Sequence, residues 1–588
     1  MLQMRLIIES RKLHIEQSCP AIAKALTNCY RNDSILFVGG EVLHSQEGTT
    51  QGDPLAMVMF GLATAPLIEK ISTDHTTQIW FADDAADGGP IRSIRKWWDK
   101  LVQYGPSFGY YPNANKTAVV VKESKLNEAM ESFEGTGVTI TVEGKRYLGG
   151  AIGSKAFIER AIKDKVSVFK SEVENLAKFA SSQPQAALSA FTHGLYAKWN
   201  YLSRALSFPD ELYEPLEKTI RTVFIPALTL QPAPNDQTRQ VLGLPARHGG
   251  LAITDPQTLP ADQGEMSVRL CQPAIESILR QKGDALVVYH TQLRIKQEIH
   301  RERRQVMTER ARLVISGLPA DLRRTITAAQ ERSASAWVTA IPKEEHGFSL
   351  HKGEFHDALC LRYGWPLRYT PSTCACGTQF SPDHALICRY GGFISLRHNE
   401  VRDLTANLLR EVVKNVVTEP QLLPITGEVL PPSSNKDNNA RSDIRATGFW
   451  GDYSTDAFFD IRVVHPFAPC YSRTDLRQVY RQHEQRKKLE YGQRIREIDR
   501  GSFTPLVLTT TGGMGDEANI FFKRLASLLS DKRGEDYCKV VSWLRCRLSF
   551  CILRSTIRCI RGSRTAHKNI DDDNLPVALA EGRITIQN

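Results

Sequence analysis

Short apolar runs alternate with helical stretches through residues 1–160, and turn residues at Gly52-Asp53-Pro54 and Gly88-Gly89-Pro90 break them sharply. Strands and helices are therefore expected to interleave over this region. From 160 to 230 the apolar spacing becomes helical, carried by Val166, Phe169, Val173 and Leu176. Residues 242–253 (LGLPARHGGLAI) are punctuated by Pro and Gly and predict turns, and 262–340 predict a charged, mostly helical connector containing a domain boundary. A compact region is expected from about Gly347, interrupted by a polar loop at 431–440 (PPSSNKDNNA) expected to be mobile. The stretch after Arg561 is polar, carries Asp571, Asp572 and Asp573, and is expected to be disordered. No repeat or heptad pattern is present.

Composition narrows the class. The 588 residues suffice for three or more domains, and 41% hydrophobic with 24% charged residues describes a folded protein. The net charge of +10 is modest for this length, so binding to polyanions would depend on local clusters. Two exist: Arg301, Arg303, Arg304, Arg310 and Arg312, and Arg545, Arg547, Arg554, Arg558, Arg561 and Arg564. A solvated helix face explains the first equally well; the second is interleaved with apolar residues. No secretory signal or ~20-residue apolar span occurs. Twelve cysteines, of which three cluster beside a histidine, predict a reducing, intracellular setting and a metal rather than a disulfide framework.

Three segments stand in a suggestive order. Residues 47–57 (EGTTQGDPLAM) are a glycine turn running into an apolar helix, and 79–84 (IWFADD) an apolar strand ending in Asp83 and Asp84. Residues 105–117 (GPSFGYYPNANKT) place Lys116 downstream, followed by 145–150 (KRYLGG). Two-metal phosphoryl transfer needs adjacent carboxylates on a strand end or tight hairpin. Gly52 would let backbone approach a nucleotide, Gln51 could reach a base or sugar, and Lys116 could offset charge on pyrophosphate. Each element alone reads as an ordinary turn; the ordered set carries the signal.

That set resembles the reverse transcriptases of non-LTR retroelements over about residues 12–255. Gln51-Gly52-Asp53-Pro54 looks like their template-gripping motif, Phe81-Ala82-Asp83-Asp84 their catalytic box, Lys116 the following lysine, and Tyr147-Leu148-Gly149 the primer-grip strand. The resemblance implies a right-hand palm at 1–160, a helical thumb-like region at 161–260 and a connector at 261–345. It also implies that the family's first catalytic strand, with a further Asp, falls at or before Met1. Glu9 is the nearest acid and reads as an ordinary strand end, so the chain is expected not to polymerise alone.

Cys374, Cys376, His384 and Cys388 follow C-x-C-x7-H-x3-C within a short, turn-rich segment poor in apolar residues. Three thiolates and an imidazole form a closed tetrahedral set suited to structural zinc, here within a small zinc-knuckle region at 346–396. Buried free cysteines beside a surface histidine are the bland alternative.

Acids then recur at strand edges. Arg397-His398-Asn399-Glu400 opens a helix, Val416-Val417-Thr418-Glu419 reads as a strand, and Asp443 follows the polar loop. Residues 457–464 (AFFDIRVV) form an apolar strand on which Asp460 and Arg462 share a face. Glu419, Asp443 and Asp460 could converge on Mg²⁺ (or Mn²⁺) and activate water. On the helix at 481–491, Glu484, Lys487, Lys488 and Tyr491 are spaced to share one face, and either lysine could stabilise phosphorane-like charge. A strand at 504–509 and a glycine turn at 512–515, read as a loop, would complete the core. The layout resembles the PD-(D/E)xK, restriction-endonuclease-like domain that some non-LTR retroelements carry after a Cys-Cys-His-Cys knuckle. Ser442 replaces the usual Pro, Arg462 stands at the usual Lys position, and Lys487 or Lys488 looks like the relocated lysine. Arg397, His398 and Asn399 resemble a short nucleic-acid-binding motif.

Together these resemblances imply an α+β and α/β multidomain protein with an endonuclease-like domain at 397–565 and a tail at 566–588. Its partners would be element RNA, target DNA and, for a completed polymerase, deoxynucleotides; it would have no membrane partner and would be nuclear. A catalytically inactive nucleic-acid-binding relic of a retroelement is the alternative.

Overall fold

The computed structural model describes residues 20–29, 34–45, 53–206, 209–258, 260–281, 284–451 and 454–562. Gln51, Gly52, Glu9 and the tail at 566–588 lie outside these. The chain is a mixed helix-and-sheet, multidomain protein, as expected, and it divides into two compact units. One comprises residues 1–165, 202–212 and 260–301; the other comprises 166–201, 213–259 and 302–588.

The first unit opens with α1 (Pro20–Cys29) and a hairpin of β1 (Ser34–Val38) and β2 (Glu41–Ser45). Helix α2 (Ala56–Ile71) leads to β3 (Thr77–Phe81) and β4 (Asp84–Gly88), which pair antiparallel with Phe81 opposite Asp84. Helix α3 (Ile91–Tyr104) packs Trp97, Trp98 and Leu101 against Leu67 and Ile71 of α2. Its strong amphipathicity explains both its formation and the face it buries. Short ladders follow: β5 (Ala118–Val120) with β6 (Thr139–Thr141), and β7 (Gly144–Tyr147) with β8 (Gly150–Gly153). The strands of this unit pair two by two rather than joining one broad sheet.

In the second unit, α4 (Pro382–Ile387) and α5 (Phe393–Val412) precede β9 (Val416–Thr418), β10 (Ile444–Thr447) and β11 (Asp456–Val464). Then come α6 (Leu476–Lys487), β12 (Ser502–Thr509), α7 (Asp516–Arg533) and α8 (Tyr537–Arg561). The four strands form one sheet ordered β12-β11-β10-β9, with β11 and β12 parallel and the other pairs antiparallel.

Strand β11 is buried nearly throughout, with only Arg462 exposed, because its apolar residues on both faces are covered by helices. Phe459, Ile461 and Val463 point into a core shared with α5, α7 and α8, including Leu409, Phe521, Leu525, Leu544 and Leu548. By strand alternation Phe458, Asp460, Arg462 and Val464 point to the other face, where Val464 and Val507 meet Val479 and Tyr480 of α6. Asp460 is thus a buried carboxylate on a face that also carries apolar Phe458 and Val464 and the exposed Arg462.

The loop at 431–440 differs from its expected mobility. Arg494, fully buried, donates to the carbonyls of Asn435 (2.8 Å), Asp437 (2.7 Å) and Leu423 (3.2 Å). Asn435 and Asp437 each accept the backbone N–H two residues on, at 2.9 Å. A polar composition therefore signals here a loop that bonds to a guanidinium and to itself.

Candidate functional site

Three groups of side chains bear on function. In the first unit, the two-residue turn Ala82-Asp83 joins β3 to β4, with Ala82 held at φ 52° and both Asp83 and Asp84 exposed. The Tyr110 hydroxyl donates to the Asp83 carbonyl at 2.9 Å. Burial, then the charges of Asp83 and Asp84, push that phenol up to about 12. Tyr147 is also raised, by burial and by Asp84, so the tip of the β7–β8 hairpin neighbours the carboxylates. That hairpin turns through Leu148 (φ 47°) and Gly149 (φ 77°), the paired left-handed conformations that suit a two-residue turn. Lys116 sits exposed on a short 3-10 turn. Among the described residues no third His, Cys, Asp or Glu joins Asp83 and Asp84 in a metal-sized cluster.

The second group is Cys374, Cys376, His384 and Cys388, whose donor atoms all lie within 4.8 Å of one another. Cys374 Sγ is 3.9 Å from Cys388 Sγ, and Cys376 Sγ is 3.2 Å from His384 Nε2. A tetrahedral zinc with ~2.3 Å bonds to sulfur spaces its thiolates by roughly 3.8 Å, so the set can hold such an ion. Local chemistry builds the cradle. Gly377 (φ 86°) closes a tight turn in which its N–H reaches the Cys374 carbonyl at 2.8 Å. Ser381 caps α4 by accepting the His384 N–H at 3.0 Å. Apolar support comes from α8 and α5, through Cys559, Ile560 and Phe393 against Ala385 and Leu386.

The third group joins α5, β11, α6 and the residue before β10. Asp443 lies just before β10, whose register with β11 sets Ile444 opposite Phe459. Its Oδ2 accepts the Ile461 N–H at 2.5 Å, and its Oδ1 is 3.1 Å from His398 Nε2 on α5. Ser442, where a proline was the expectation, donates its hydroxyl to the Phe459 carbonyl at 2.9 Å and ties the loop to β11. Asp460, 6% exposed, bonds Lys487 Nζ through Oδ2 at 3.1 Å. Burial, then the Asp443 charge, push the Asp460 carboxyl up to about 6, with Lys487 acting in the opposite direction. Burial lowers His398, but its hydrogen bond to Asp443 and the charge there prevail and raise it. Lys487 is likewise raised despite burial, chiefly by Asp460 and then Glu490, whose carboxylate is 3.7 Å away.

The two candidate lysines separate cleanly. After α6 the chain makes a π turn (Lys488–Gly492), and the adjacent Lys487 and Lys488 face different partners. Lys487 turns to Asp460 and lies over the Tyr491 ring at 5.0 Å, whereas Lys488 pairs with Glu517 on α7. Glu484, one turn before Lys488, faces the same start of α7, accepting the Glu517 N–H at 3.1 Å.

Other expectations need correction. Arg397 was expected to contact nucleic acid; its guanidinium is 2% exposed and donates to the Leu386 carbonyl at 3.2 Å, with Cys559 Sγ 3.7 Å away. It is an internal tie. Glu419 adjoins Asp443 through its backbone N–H, 2.9 Å from the Asp443 carbonyl, but its carboxylate pairs with Arg402 rather than Asp460. Asn399 is half-buried on α5, and Arg462 is exposed. The sequence reading missed Arg402, one turn beyond His398, and His465, just past β11. His465 is buried between Asp383 Oδ1 (3.0 Å from Nε2) and Thr510 Oγ1 (2.9 Å from Nδ1). A histidine at the end of an apolar strand was the available signal.

No helix among the described residues is long and apolar enough to cross a membrane. Comparison with protein-family models and with curated proteins finds no match.

Proposed function

We propose that the second unit is a divalent-cation-dependent nuclease that hydrolyses phosphodiester bonds in DNA, within a protein of retroelement ancestry. The observation that carries this reading is the buried Asp460–Lys487 pair at 3.1 Å beside Asp443, on one face of the mixed sheet. Hard carboxylate oxygens are the donor type that Mg²⁺ and Mn²⁺ select. A carboxyl held near pH 6 by burial and a neighbouring acid gains from a cation placed between the two. The bound ion would supply Lewis acidity and lower the pKa of a coordinated water.

The chain's own residues divide the remaining work. Asp443 and Asp460 would hold the ion. The Ile461 N–H and His398 fix both oxygens of Asp443. Lys487 would donate to the charge that gathers on the phosphoryl oxygens. Water oxygen bonds to phosphorus as the bond to the 3′ oxygen breaks, leaving a 3′ hydroxyl and a 5′ phosphate. Nicking of supercoiled DNA in Mg²⁺ tests the reading. Wild type should cleave and Asp443→Ala and Asp460→Ala should not; an inert wild type over varied DNA substrates leaves only a nucleic-acid-binding protein.

The first unit we read as derived from a reverse-transcriptase palm, supported by Asp83 and Asp84 at a hairpin tip neighboured by Tyr147. Neither this pair nor Asp443 with Asp460 gathers a third His, Cys, Asp or Glu into a metal-sized cluster among the described residues; the palm pair, unlike Asp460, is exposed on a hairpin turn, and we expect it to be silent in template-primer extension. Extension by this chain would refute that.

A further inference from the structure

Helix α4 is only six residues long, yet it is held from two sides. His384 and Cys388, one helical turn apart, face the thiolate cluster. Asp383 and Leu386 are held by the nuclease-like core instead. The Asp383 carboxylate meets His465 Nε2 at 3.0 Å, and the Leu386 carbonyl accepts from Arg397 at 3.2 Å.

Both partners belong to elements that deliver the carboxylate site. His465 immediately follows β11, the strand of Asp460, and its other nitrogen is 2.9 Å from Thr510 Oγ1 immediately beyond β12. The Thr510 N–H in turn reaches the Val464 carbonyl at 2.9 Å, so one imidazole spans the ends of the two parallel central strands. Arg397 directly precedes His398, the residue on Asp443. Both tie residues are nearly sealed from solvent, His465 at 5% and Arg397 at 2% exposure, so neither is a casual surface contact.

We propose that metal at the Cys374–Cys376–His384–Cys388 cluster sets the geometry of the Asp443–Asp460 site through α4, with His465 and Arg397 as positioning residues. Zinc at the cluster is then a condition for full divalent-cation affinity at the carboxylates. The coupling rests on the reading of Asp443 and Asp460 as a divalent-cation site, and the cleavage arm of its test rests in addition on the nuclease reading. Removing zinc frees His384 and Cys388; α4 loses its anchored face, and its two ties no longer have a fixed element to hold. No chemistry passes between the sites, only position, in the way outer-shell partners orient metal ligands.

The test uses the full chain and two variants, Asp383→Ala and Cys376→Ser, with zinc content measured on each. Asp383 is largely exposed and Cys376 is exposed, so both substitutions spare the core. Mn²⁺ is the probe at the carboxylates, followed by loss of the free-ion electron paramagnetic resonance signal, with Asp460→Asn as background. Zinc-depleted Cys376→Ser should bind Mn²⁺ about 10-fold more weakly than wild type. Asp383→Ala should retain zinc and still lose Mn²⁺ affinity, with kcat for nicking reduced and KM for DNA unchanged.

Unchanged Mn²⁺ binding in Asp383→Ala, or in a folded, zinc-free Cys376→Ser chain, overturns the coupling. So does a wild type that binds no Mn²⁺ above the Asp460→Asn background. If Mn²⁺ affinity follows zinc but wild type cuts no DNA, the coupling stands and the nuclease reading falls. If wild type cuts DNA indifferently to zinc, the reverse holds.

Discussion

Replacing Asp460 with Asn should make the pH dependence of folding stability differ from wild type in a fixed direction. In divalent-free buffer, the buried Asp460 carboxyl ionises only near pH 6, against an ordinary value of 3.8, because burial and Asp443 both oppose its charge. Below about pH 3 the group is protonated whether the chain is folded or not, and it costs nothing. As pH rises from there the unfolded chain ionises first, so the folded state holds the extra proton and wild type loses stability until about pH 6. A displacement of about two units corresponds to roughly 3 kcal/mol. Asn keeps the shape and does not titrate. The loss of the Lys487 partner adds an offset, since that lysine stays protonated over this range, and His398, which Asp460 helps to raise, moves the difference in the same direction as it loses its proton. Urea unfolding of both proteins from pH 3 to pH 8 measures the difference. Wild type minus Asp460→Asn should fall by roughly 3 kcal/mol across the interval and then flatten. Saturating Mg²⁺ at pH 8 should restore about 3–4 kcal/mol to wild type and little to the variant, at some hundred- to thousandfold excess over Kd. A gap that stays level with pH, or that grows in favour of wild type as pH rises, would refute the reasoning.

Further outcomes separate residues that look alike in sequence. Lys487→Ala should lower kcat for DNA nicking by about 100-fold or more, while Lys488→Ala, which loses only a half-exposed pair with Glu517, should stay within about 1 kcal/mol of wild type in both rate and stability. Arg397→Ala should cost roughly 2–4 kcal/mol of stability by emptying a buried site and stranding the Leu386 carbonyl. A stably folded Arg397→Ala chain that instead loses DNA affinity would return that arginine to the binding surface. Gly513→Ala should destabilise by about 1–3 kcal/mol in thermal unfolding, because its Cβ would fall 1.9 Å from Glu331 Oε2 and 2.4 Å from the Tyr480 hydroxyl.

What the sequence disclosed follows from how local each signal is. The strands around Phe459 and Leu506 were legible because short, predominantly apolar runs rich in Val, Phe and Leu are buried strands. The placement of Asp460 beside Asp443 needed only period-two alternation and a neighbouring strand. The thiolate set was legible because its ligands lie within fifteen residues of one another. The choice between Lys487 and Lys488 was not, because adjacent helix residues point about 100° apart and which one meets Asp460 depends on how the helix is turned against the sheet. Arg397 was misread for a different reason. A charged residue defaults to the surface, and its burial depends on a carbonyl eleven residues earlier and a thiol 162 residues later. His465 escaped notice likewise, since its acceptor lies 82 residues away.

The burial of Asp460 also bears on ionic strength. Counter-ions reach exposed phosphate contacts freely, and at 0.1 M salt the screening length is about 10 Å. They reach a carboxylate 6% exposed beneath α6 far less. Raising KCl should therefore strip DNA from the protein while the carboxylates keep their hold on Mn²⁺. Salt becomes a dial that turns substrate affinity and leaves the metal centre alone, so that catalytic defects and binding defects in any variant can be told apart at the bench.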